Sequence, residues 1–190
     1  MTHKELFWII SLLIVLPQLY FYFKSIIIGE TKIHIYTKII WLILTGIWFI
    51  IQVKWWWWPW AWVLGGTTLT QMFSLILWIK YWISSITKFD TFLLVLALIC
   101  IPLYLWIENK AYALLAIIFI DFLWYIPTYR KTYVNPYSES LLTWSISNTK
   151  YVVSIFALLE YSLYTLAYPI FLFLANMVII LISLCLSSTA

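Results

Sequence analysis

The chain has 190 residues, of which 65% are hydrophobic and 9% are charged, and its formal net charge is +4. A soluble domain is about 45–50% apolar and about 25% charged, so this composition argues against a soluble protein. It indicates an integral membrane protein whose main partner is the lipid bilayer. The basic residues form no cluster, which excludes nucleic acid as a partner.

Seven long apolar segments follow one another along the chain, separated by polar or turn-forming residues. A helix that spans a bilayer needs about 20 mostly apolar residues, and a spanning helix satisfies its own backbone hydrogen bonds. We therefore predict seven transmembrane helices in an all-α membrane protein. They cover residues 5–27, 36–54, 59–83, 90–107, 111–131, 138–163 and 166–187.

Residues at the breaks predict where individual helices begin. Pro59 is suited to open the third helix, where a missing N–H has little consequence. Asp90 is a candidate N-cap for the fourth helix. The sixth helix is predicted to start after Asn135-Pro136 or at Ser138. The break before the seventh is predicted near Ala167–Pro169.

The distribution of basic residues predicts the orientation in the membrane. Most of them fall at helix ends on the side opposite the N-terminus: Lys24, Lys32, Lys38, Lys80, Lys88, Arg130 and Lys131. Because Lys and Arg are retained in the cytoplasm, this side is predicted to be cytoplasmic. The N-terminus is then outside and the C-terminus inside, in a multi-pass membrane protein.

Residues 55–62 read WWWWPWAW and fall on the predicted outer side. Trp prefers the membrane–water interface, because its ring is apolar while its N–H requires a hydrogen-bond partner. We interpret this stretch as an anchoring belt. An extracellular stacking platform for a ligand is the alternative interpretation.

Prolines reveal an internal repeat. Pro17 and Pro127 are 110 residues apart, and so are Pro59 and Pro169. Because the chain has only six prolines, two pairs at the same spacing indicate a repeat. The repeat predicts one transmembrane domain over residues 1–190, with unit one at 1–84, a linker helix at 85–110 and unit two at 111–190. Alignment at this offset pairs Ser11 with Asp121, Gln18 with Thr128, and Gly66 with Asn176.

One helix between two three-helix units gives both units the same orientation. The predicted fold is therefore a 3+1+3 arrangement, two parallel three-helix repeats joined by an inversion linker helix. Parallel repeats occur in small transporters, with the substrate site at the repeat interface near the bilayer midplane.

Helix plan, size, symmetry and the Pro17-Gln18 pair together resemble the SWEET / PQ-loop superfamily of small seven-helix transporters. The segment DFLWYIPTYRKTYVNPYSESLLTW, residues 121–144, is similar to a bacterial branch of it. This resemblance implies a bacterial inner (plasma) membrane as the location. The second unit keeps the proline of the motif but has Thr128 in place of glutamine. The resemblance implies a transporter that moves a sugar or another small polar metabolite by alternating access between the two units.

Both repeated prolines lie within predicted helices. A proline there removes one backbone hydrogen bond and clashes with the carbonyl four residues before it. Pro17 and Pro127, each with its following residue Gln18 or Thr128, are thus candidate hinges that bend each unit. A static kink is the alternative.

Two charged residues are predicted near the bilayer centre, Asp121 in the fifth helix and Lys150 in the sixth. Charges at this depth are costly and are usually paired, facing the protein interior. We expect the two to approach each other, directly or through water. The alternatives are a structural ion pair, proton coupling by Asp121 as the resemblance implies, and contact between Lys150 and an anionic substrate.

Polar and aromatic residues in the third, sixth and seventh helices are candidates for a substrate pocket. The resemblance implies that Asn176 lines it, with Gln71 and Thr67 as its nearest polar counterparts in unit one. Trp144 and Asn148 lie four residues apart, on one face of the sixth helix. Helix–helix hydrogen bonding is the alternative role for the two asparagines.

Enzymatic chemistry has little support in the sequence. It contains no nucleophile–base set, no glycine-rich phosphate loop and no metal-binding cluster, so we expect no enzyme, no metal and no cofactor. Two other functions stay open. One is a receptor or sorting protein of the same architecture that binds a peptide or protein, and the other is a structural subunit of a membrane complex. A homo-oligomer also stays open.

Overall fold

The computed structural model describes residues 3–31, 35–54, 58–81, 86–158 and 160–187, without the side chains of residues 47–48, 50–64, 80–81, 103–105, 110 and 113. This part of the chain is all-α, as predicted, with seven α-helices and one short 3₁₀ helix. The α-helices are α1 (His3–Ile27), α2 (Ile35–Lys54), α3 (Trp58–Tyr81), α4 (Lys88–Leu105), α5 (Lys110–Val134), α6 (Leu141–Phe156) and α7 (Leu163–Ser187). The 3₁₀ helix is Pro136–Ser138.

Six helices begin and end within three residues of the predicted bounds, and the sixth helix ends seven residues before its predicted end. α6 ends at Phe156, and the break that follows covers residues 157–162 rather than 164–165. The Ser162 hydroxyl accepts from the Thr165 N–H at 3.3 Å, and the Thr165 hydroxyl accepts from the Ser162 N–H at 2.9 Å. This reciprocal cap starts α7 at Leu163 and leaves Pro169 inside the helix, so the break predicted near Pro169 is wrong.

The start of α4 also differs from its prediction. The Asp90 N–H donates to the Thr87 hydroxyl at 3.3 Å, while the Thr87 N–H donates to the Asp90 carboxylate at 2.8 Å. Thr87 is therefore the N-cap, and Asp90 is the residue three positions later that completes a capping box. The prediction that Asp90 itself caps the helix is wrong, since a Thr three positions earlier takes that role.

Within the described residues, two helices are long and apolar enough to cross a membrane by length and composition, His3–Ile27 and Leu163–Ser187. The described apolar part of α2, Ile35–Gly46, is shorter. α5 carries Asp121, Arg130 and Lys131 among its 25 residues. The expectation that all seven helices span a membrane stays a prediction, and so does the anchoring role of residues 55–62, whose side chains lie outside the described part.

The helices pack in the same order at both ends of the chain. α3 packs against both α1 and α2, and α7 packs against both α5 and α6. α4 contacts α5 and α2. α1 packs on α6 and α2 packs on α5, so the first three helices meet the last three along two helix pairs.

Two buried clusters fill the interior. One joins α2, α4 and α5 through Ile40, Leu44, Ala97, Ile101, Ile120 and Trp124. The other joins α5 and α7 through Tyr125, Ala175 and Ile179, with Trp41, Tyr129, Trp144, Phe171 and Leu172 packed around it. The second cluster lies where α2, α5, α6 and α7 converge.

Candidate functional site

A hydrogen-bonded chain of three buried side chains crosses the second cluster. The Tyr125 hydroxyl of α5 donates to Asn176 Oδ1 of α7 at 2.8 Å. Asn176 Nδ2 then donates to the Ser147 hydroxyl of α6 at 3.3 Å. One asparagine amide thus joins three helices, and its donor and acceptor are both used.

Aromatic rings surround Tyr125. The ring centroids of four residues lie 5.6–6.4 Å from that of Tyr125: Trp41, Tyr129, Trp144 and Phe171. Trp41 belongs to α2 and the other three belong to helices later in the chain, so the aromatic contacts cross from the first three helices to the last three. The Tyr129 hydroxyl also donates to the Ala175 carbonyl at 3.0 Å, which fixes α5 against α7.

The 110-residue offset has a counterpart in these contacts. In unit one a Cβ added at Gly66 would lie 3.9 Å from Val15 Cγ1. The residues 110 positions later are Tyr125 and Asn176, the hydrogen-bonded pair at the centre of the site. The first and third helices of each triplet therefore meet at matching positions. The contact in unit one is between two small apolar residues, Val15 and Gly66. The contact in unit two is a hydrogen bond between two large polar side chains, Tyr125 and Asn176.

The predicted pocket residues divide into two groups. Asn176 and Trp144 come together around Tyr125. Asn148 is buried on α6, and neither atom of its side-chain amide has a hydrogen-bond partner. Gln71 is buried, with its amide oxygen also unpartnered, and Thr67 is half-buried on the same helix. α3 and α7 are not neighbours among the described residues, so Gln71 and Thr67 lie apart from Asn176.

Asp121 and Lys150 do not form the direct contact that the sequence predicts. The Asp121 carboxylate is buried and accepts from the Tyr168 hydroxyl of α7 at 2.7 Å. Lys150 Nζ lies 4.8 Å from the ring centroid of Tyr151, its neighbour in the sequence. Direct contact is thus absent between these two described residues, because similar depth in two helices does not place two side chains on facing sides. An approach through water stays a prediction.

The two candidate hinge prolines lie in different surroundings. Pro17 is on the exposed face of α1, whereas Pro127 is completely buried in α5. Thr128 is buried, and its carbonyl accepts from the Thr132 hydroxyl at 2.8 Å. The Gln18 amide oxygen is buried without a hydrogen-bond partner. Both helices continue through their prolines.

Charged and aromatic side chains close the Lys-rich end of the bundle beside this site. Lys38 Nζ lies 4.6 Å from the Tyr22 ring centroid and 5.0 Å from that of Trp41. Glu139 forms an ion pair with Lys131 and accepts from Trp144 Nε1 at 3.0 Å. Across the helix triplets, Glu139 attracts Lys38 electrostatically, whereas Lys131 repels it.

The centre of the site is packed rather than open. Two pockets of about 230 and about 330 Å³ lie near the Lys24 end of α1, away from Tyr125. The smaller one contains Ser25 and Glu30 and opens between α1 and the start of α6, at Ser140 and Leu142. Both pockets therefore lie apart from the central polar side chains.

Sequence analysis missed several residues of this site. The central residues that were missed are Tyr125, Tyr168 and Glu139. Tyrosine and glutamate also occur at other positions of the sequence, so residue type alone does not identify these three. One available signal was the spacing of Asp121, Tyr125 and Thr128, which puts three polar side chains on one face of α5. All three are buried.

Comparisons with protein families, with curated proteins and with solved structures find no match to this chain. Within the described residues, no group of three or more His, Cys, Asp or Glu side chains could hold a metal ion. Function is therefore inferred from the side chains and contacts of this chain alone.

Proposed function

We propose that this protein is a SWEET-like membrane transporter that moves a small polar solute by alternating access between two three-helix units. The solute is a sugar or another metabolite, and it occupies the interior around Tyr125, Asn148 and Asn176. The observation that carries the proposal is the polar chain Tyr125–Asn176–Ser147, buried where the two helix triplets meet.

The packing order supports two equivalent units. In both triplets the third helix lies between the first and the second, and α4 stands between the triplets in the chain. The contact of Gly66 with Val15 and that of Asn176 with Tyr125 are related by the same 110 residues as the prolines. This agrees with a 3+1+3 fold made of parallel repeats, which places a substrate site at the repeat interface.

The outer surface supports a multi-pass location in a membrane. Large apolar side chains recur at helical spacing on the outside of α4 and α5: Phe92, Val95, Ile99, Tyr112, Leu115, Phe119 and Phe122 are all exposed. Soluble monomers rarely expose continuous apolar surface of more than a few hundred Å². A lipid environment covers such faces, and it also fits the charged residues at the helix ends.

Closure at one end supports alternating access. At the Lys-rich end, which we place in the cytoplasm, Glu139 pairs with Lys131 and attracts Lys38 of the other triplet, while Lys131 repels Lys38. Access to the centre from that side requires the triplets to separate there. A hinge at Pro127, two residues from Tyr125 and within the helix that carries Asp121, would let unit two bend as they part.

Solute flux tests this function. Purified protein is reconstituted into liposomes, and uptake is measured for a panel of labelled sugars, organic acids and amino acids. We expect at least one class to enter faster than in protein-free liposomes, with competition by the unlabelled compound. The variant Asn176→Leu, which removes the central amide, should lose this uptake, while Ser145→Ala on the exposed side of α6 should keep it.

A receptor or a structural subunit predicts the opposite result. A receptor of this architecture binds a peptide or protein ligand without flux of any solute, and a subunit co-purifies with partners and binds no solute. Failure of every panel compound both to bind to the folded protein and to enter liposomes would overturn the transport proposal.

A further inference from the structure

Lys150 is a buried cation without a counter-ion. Its residue is 6% exposed, and no carboxylate lies within ion-pair distance of its ammonium among the described residues. The neighbouring contact is the ring of Tyr151, 4.8 Å from Nζ to its centroid. Two other buried charges do have polar partners. Asp90 forms an ion pair with Arg130 at 2.7 Å, and Asp121 accepts a hydrogen bond from the Tyr168 hydroxyl.

The tyrosine ring does not compensate for this burial. Removing an ammonium group from water costs several kcal/mol even after the protein relaxes, whereas a cation–π contact returns about 0.5–2 kcal/mol. Unpaired charges at membrane depth are therefore rare, and they mark positions where a substrate or an ion binds. An anion next to Nζ would supply the missing compensation.

Lys150 lies on α6, the helix that carries Ser147 of the central polar chain. Successive residues of α6 are turned by about 100°, so Asn148 and Lys150 lie on either side of Ser147. Ser147 accepts from Asn176. Asn148 is also 6% exposed, and its amide donor and acceptor both lack partners. Lys150 is three residues after Ser147 and lies on the same side of α6, beside the end of the polar chain. Asn148 lies about 160° from Lys150 around the helix axis, at the other edge of the buried side.

We propose that Lys150 binds the negative group of the transported solute, which makes that solute a small organic carboxylate. The carboxylate meets the ammonium of Lys150, beside the Ser147 end of the central polar chain. The inference rests on the proposed transport function, since it assigns the substrate class of the same interior.

Pairs of solutes that differ only in charge provide the test. Binding to the purified protein is measured by calorimetry for glucuronate against glucose, gluconate against sorbitol, and glycerate against glycerol, with glucosamine as the cationic counterpart. We expect one or more of the carboxylates to bind, and its neutral partner to bind at least about 30-fold more weakly, because a buried charge contact is lost.

Two variants separate the role of the charge from that of the fold. Lys150→Met should weaken carboxylate binding by at least about 30-fold, and Lys150→Arg should retain part of it. Lys88→Met removes an exposed lysine on α4 and should leave binding unchanged. Without solute, Lys150→Met should melt at a higher temperature than the wild type, because an apolar side chain replaces an unpaired buried charge.

The outcomes distinguish this inference from the transport proposal. If neutral solutes bind and cross the membrane as well as the carboxylates, or if Lys150→Met keeps full affinity, the inference is overturned while transport stands. A lower melting temperature for solute-free Lys150→Met would also overturn it, since the ammonium would then stabilise the protein itself. If no carboxylate of the panel binds, the inference is overturned, and the wider flux panel decides whether transport fails with it.

Discussion

Asn176 shows how a single residue joins the parts of this protein. Its amide accepts from Tyr125 and donates to Ser147, so α5, α6 and α7 are held through one side chain. The residue at the matching position of unit one is Gly66, which has no side chain and leaves room beside Val15. The two units share a frame, and only the second carries this polar connection.

Removal of the Tyr125 hydroxyl tests the central chain. Tyr125→Phe keeps the ring and its aromatic contacts but leaves the buried Asn176 oxygen without its donor, at a cost of about 1–3 kcal/mol. For a protein of this size we expect the melting temperature in detergent to fall by about 5 °C. Tyr133→Phe is the matched control, since Tyr133 is exposed on the same helix. Equal melting temperatures for the two variants would contradict the role of this hydroxyl.

Asp121 is the candidate for coupling transport to protons. Its carboxylate is buried and receives the Tyr168 hydroxyl, so uptake of a proton would change a contact between α5 and α7. Asp121→Asn keeps the shape but cannot take up a proton. We expect solute flux into liposomes to depend on an imposed pH gradient in the wild type and to lose that dependence in the variant.

The control for this measurement is Glu108→Gln, which removes an exposed carboxylate between α4 and α5 and should keep the pH dependence. A pH-dependent flux that persists unchanged in Asp121→Asn would exclude Asp121 as the coupling group. Tyr168→Phe is a second variant for the same flux measurement. It removes the hydroxyl that donates to Asp121, while the Asp121 carboxylate can still take up a proton.

At the scale of helices, α4 is fixed to α5 by one arginine. The Arg130 guanidinium donates to the Thr87 hydroxyl and to the Asp90 carboxylate, both at 2.7 Å. These are the two residues of the capping box that starts α4. Any bending of α5 at Pro127 is therefore transmitted to α4 at its Lys-rich end, which makes α4 more than a passive connection between the units.

Replacement of Pro127 tests bending in α5. Pro127→Ala restores an N–H that can bond to the Leu123 carbonyl, which straightens and stiffens the helix. We expect solute flux to slow about tenfold while equilibrium binding of the solute stays within about twofold, since a barrier between conformations rises by roughly 1.4 kcal/mol. Pro102→Ala is the matched control, because Pro102 is exposed in α4, outside both repeats.

A loss of binding together with flux in Pro127→Ala would mean that the proline shapes the site rather than the motion. An unchanged flux would remove Pro127 as a hinge. Pro17→Ala is expected to have the weaker effect of the two repeated prolines, because Pro17 lies on an exposed face where the surrounding side chains constrain it less.

The helices could be predicted from the sequence and their contacts could not. Apolar runs separated by polar residues define seven helices, and five of them begin within two residues of the predicted start. The break between α6 and α7 was misplaced, because Pro169 is a stronger signal in sequence than the Ser162–Thr165 cap that the chain uses. Which of the many tyrosines meets Asn176 depends on packing, and no local pattern encodes it.

For the site residues too, the sequence predicts position along a helix but not the contacts that depend on packing. The resemblance implies Asn176 and the spacing on the sixth helix indicates Trp144, and the two residues meet around Tyr125. Asp121 and Lys150 have similar predicted depths but make no direct contact with each other. Depth follows from residue count at 1.5 Å per residue. The rotation of each helix about its axis depends on the whole set of packed side chains.

On the scale of the whole molecule, apolar and polar groups are arranged opposite to a soluble protein. Exposed faces of α4 and α5 are apolar, while the interior contains Asp121, Lys150, Asn148 and Asn176. Water would disfavour both features, whereas a bilayer covers the outer faces and an interior solute pathway uses the polar groups. Under the proposed function, the same arrangement requires helices beyond the two most apolar ones to lie within the membrane.

Labelling of α4 from each side of the membrane tests this requirement. α4 has 18 residues, which span about 27 Å at 1.5 Å per residue. If it crosses the bilayer, its two ends lie on opposite sides, with the Lys88 end inside and the Glu108 end outside. Single cysteines are introduced by Lys88→Cys or Glu108→Cys in a background where Cys100 and Cys185 are replaced by serine, and whole cells are treated with a membrane-impermeant maleimide.

We expect Glu108→Cys to be labelled in intact cells and Lys88→Cys only after the cells are permeabilised, because basic helix ends are retained in the cytoplasm. Labelling of both positions in intact cells, or of neither, would show that α4 does not cross the membrane. Reversed labelling would keep the crossing but invert the orientation, and it would place the closed end formed by Lys38, Glu139 and Lys131 on the outside. Because α4 stands between the two triplets, its crossing also decides whether they have the same orientation, as a shared central site requires.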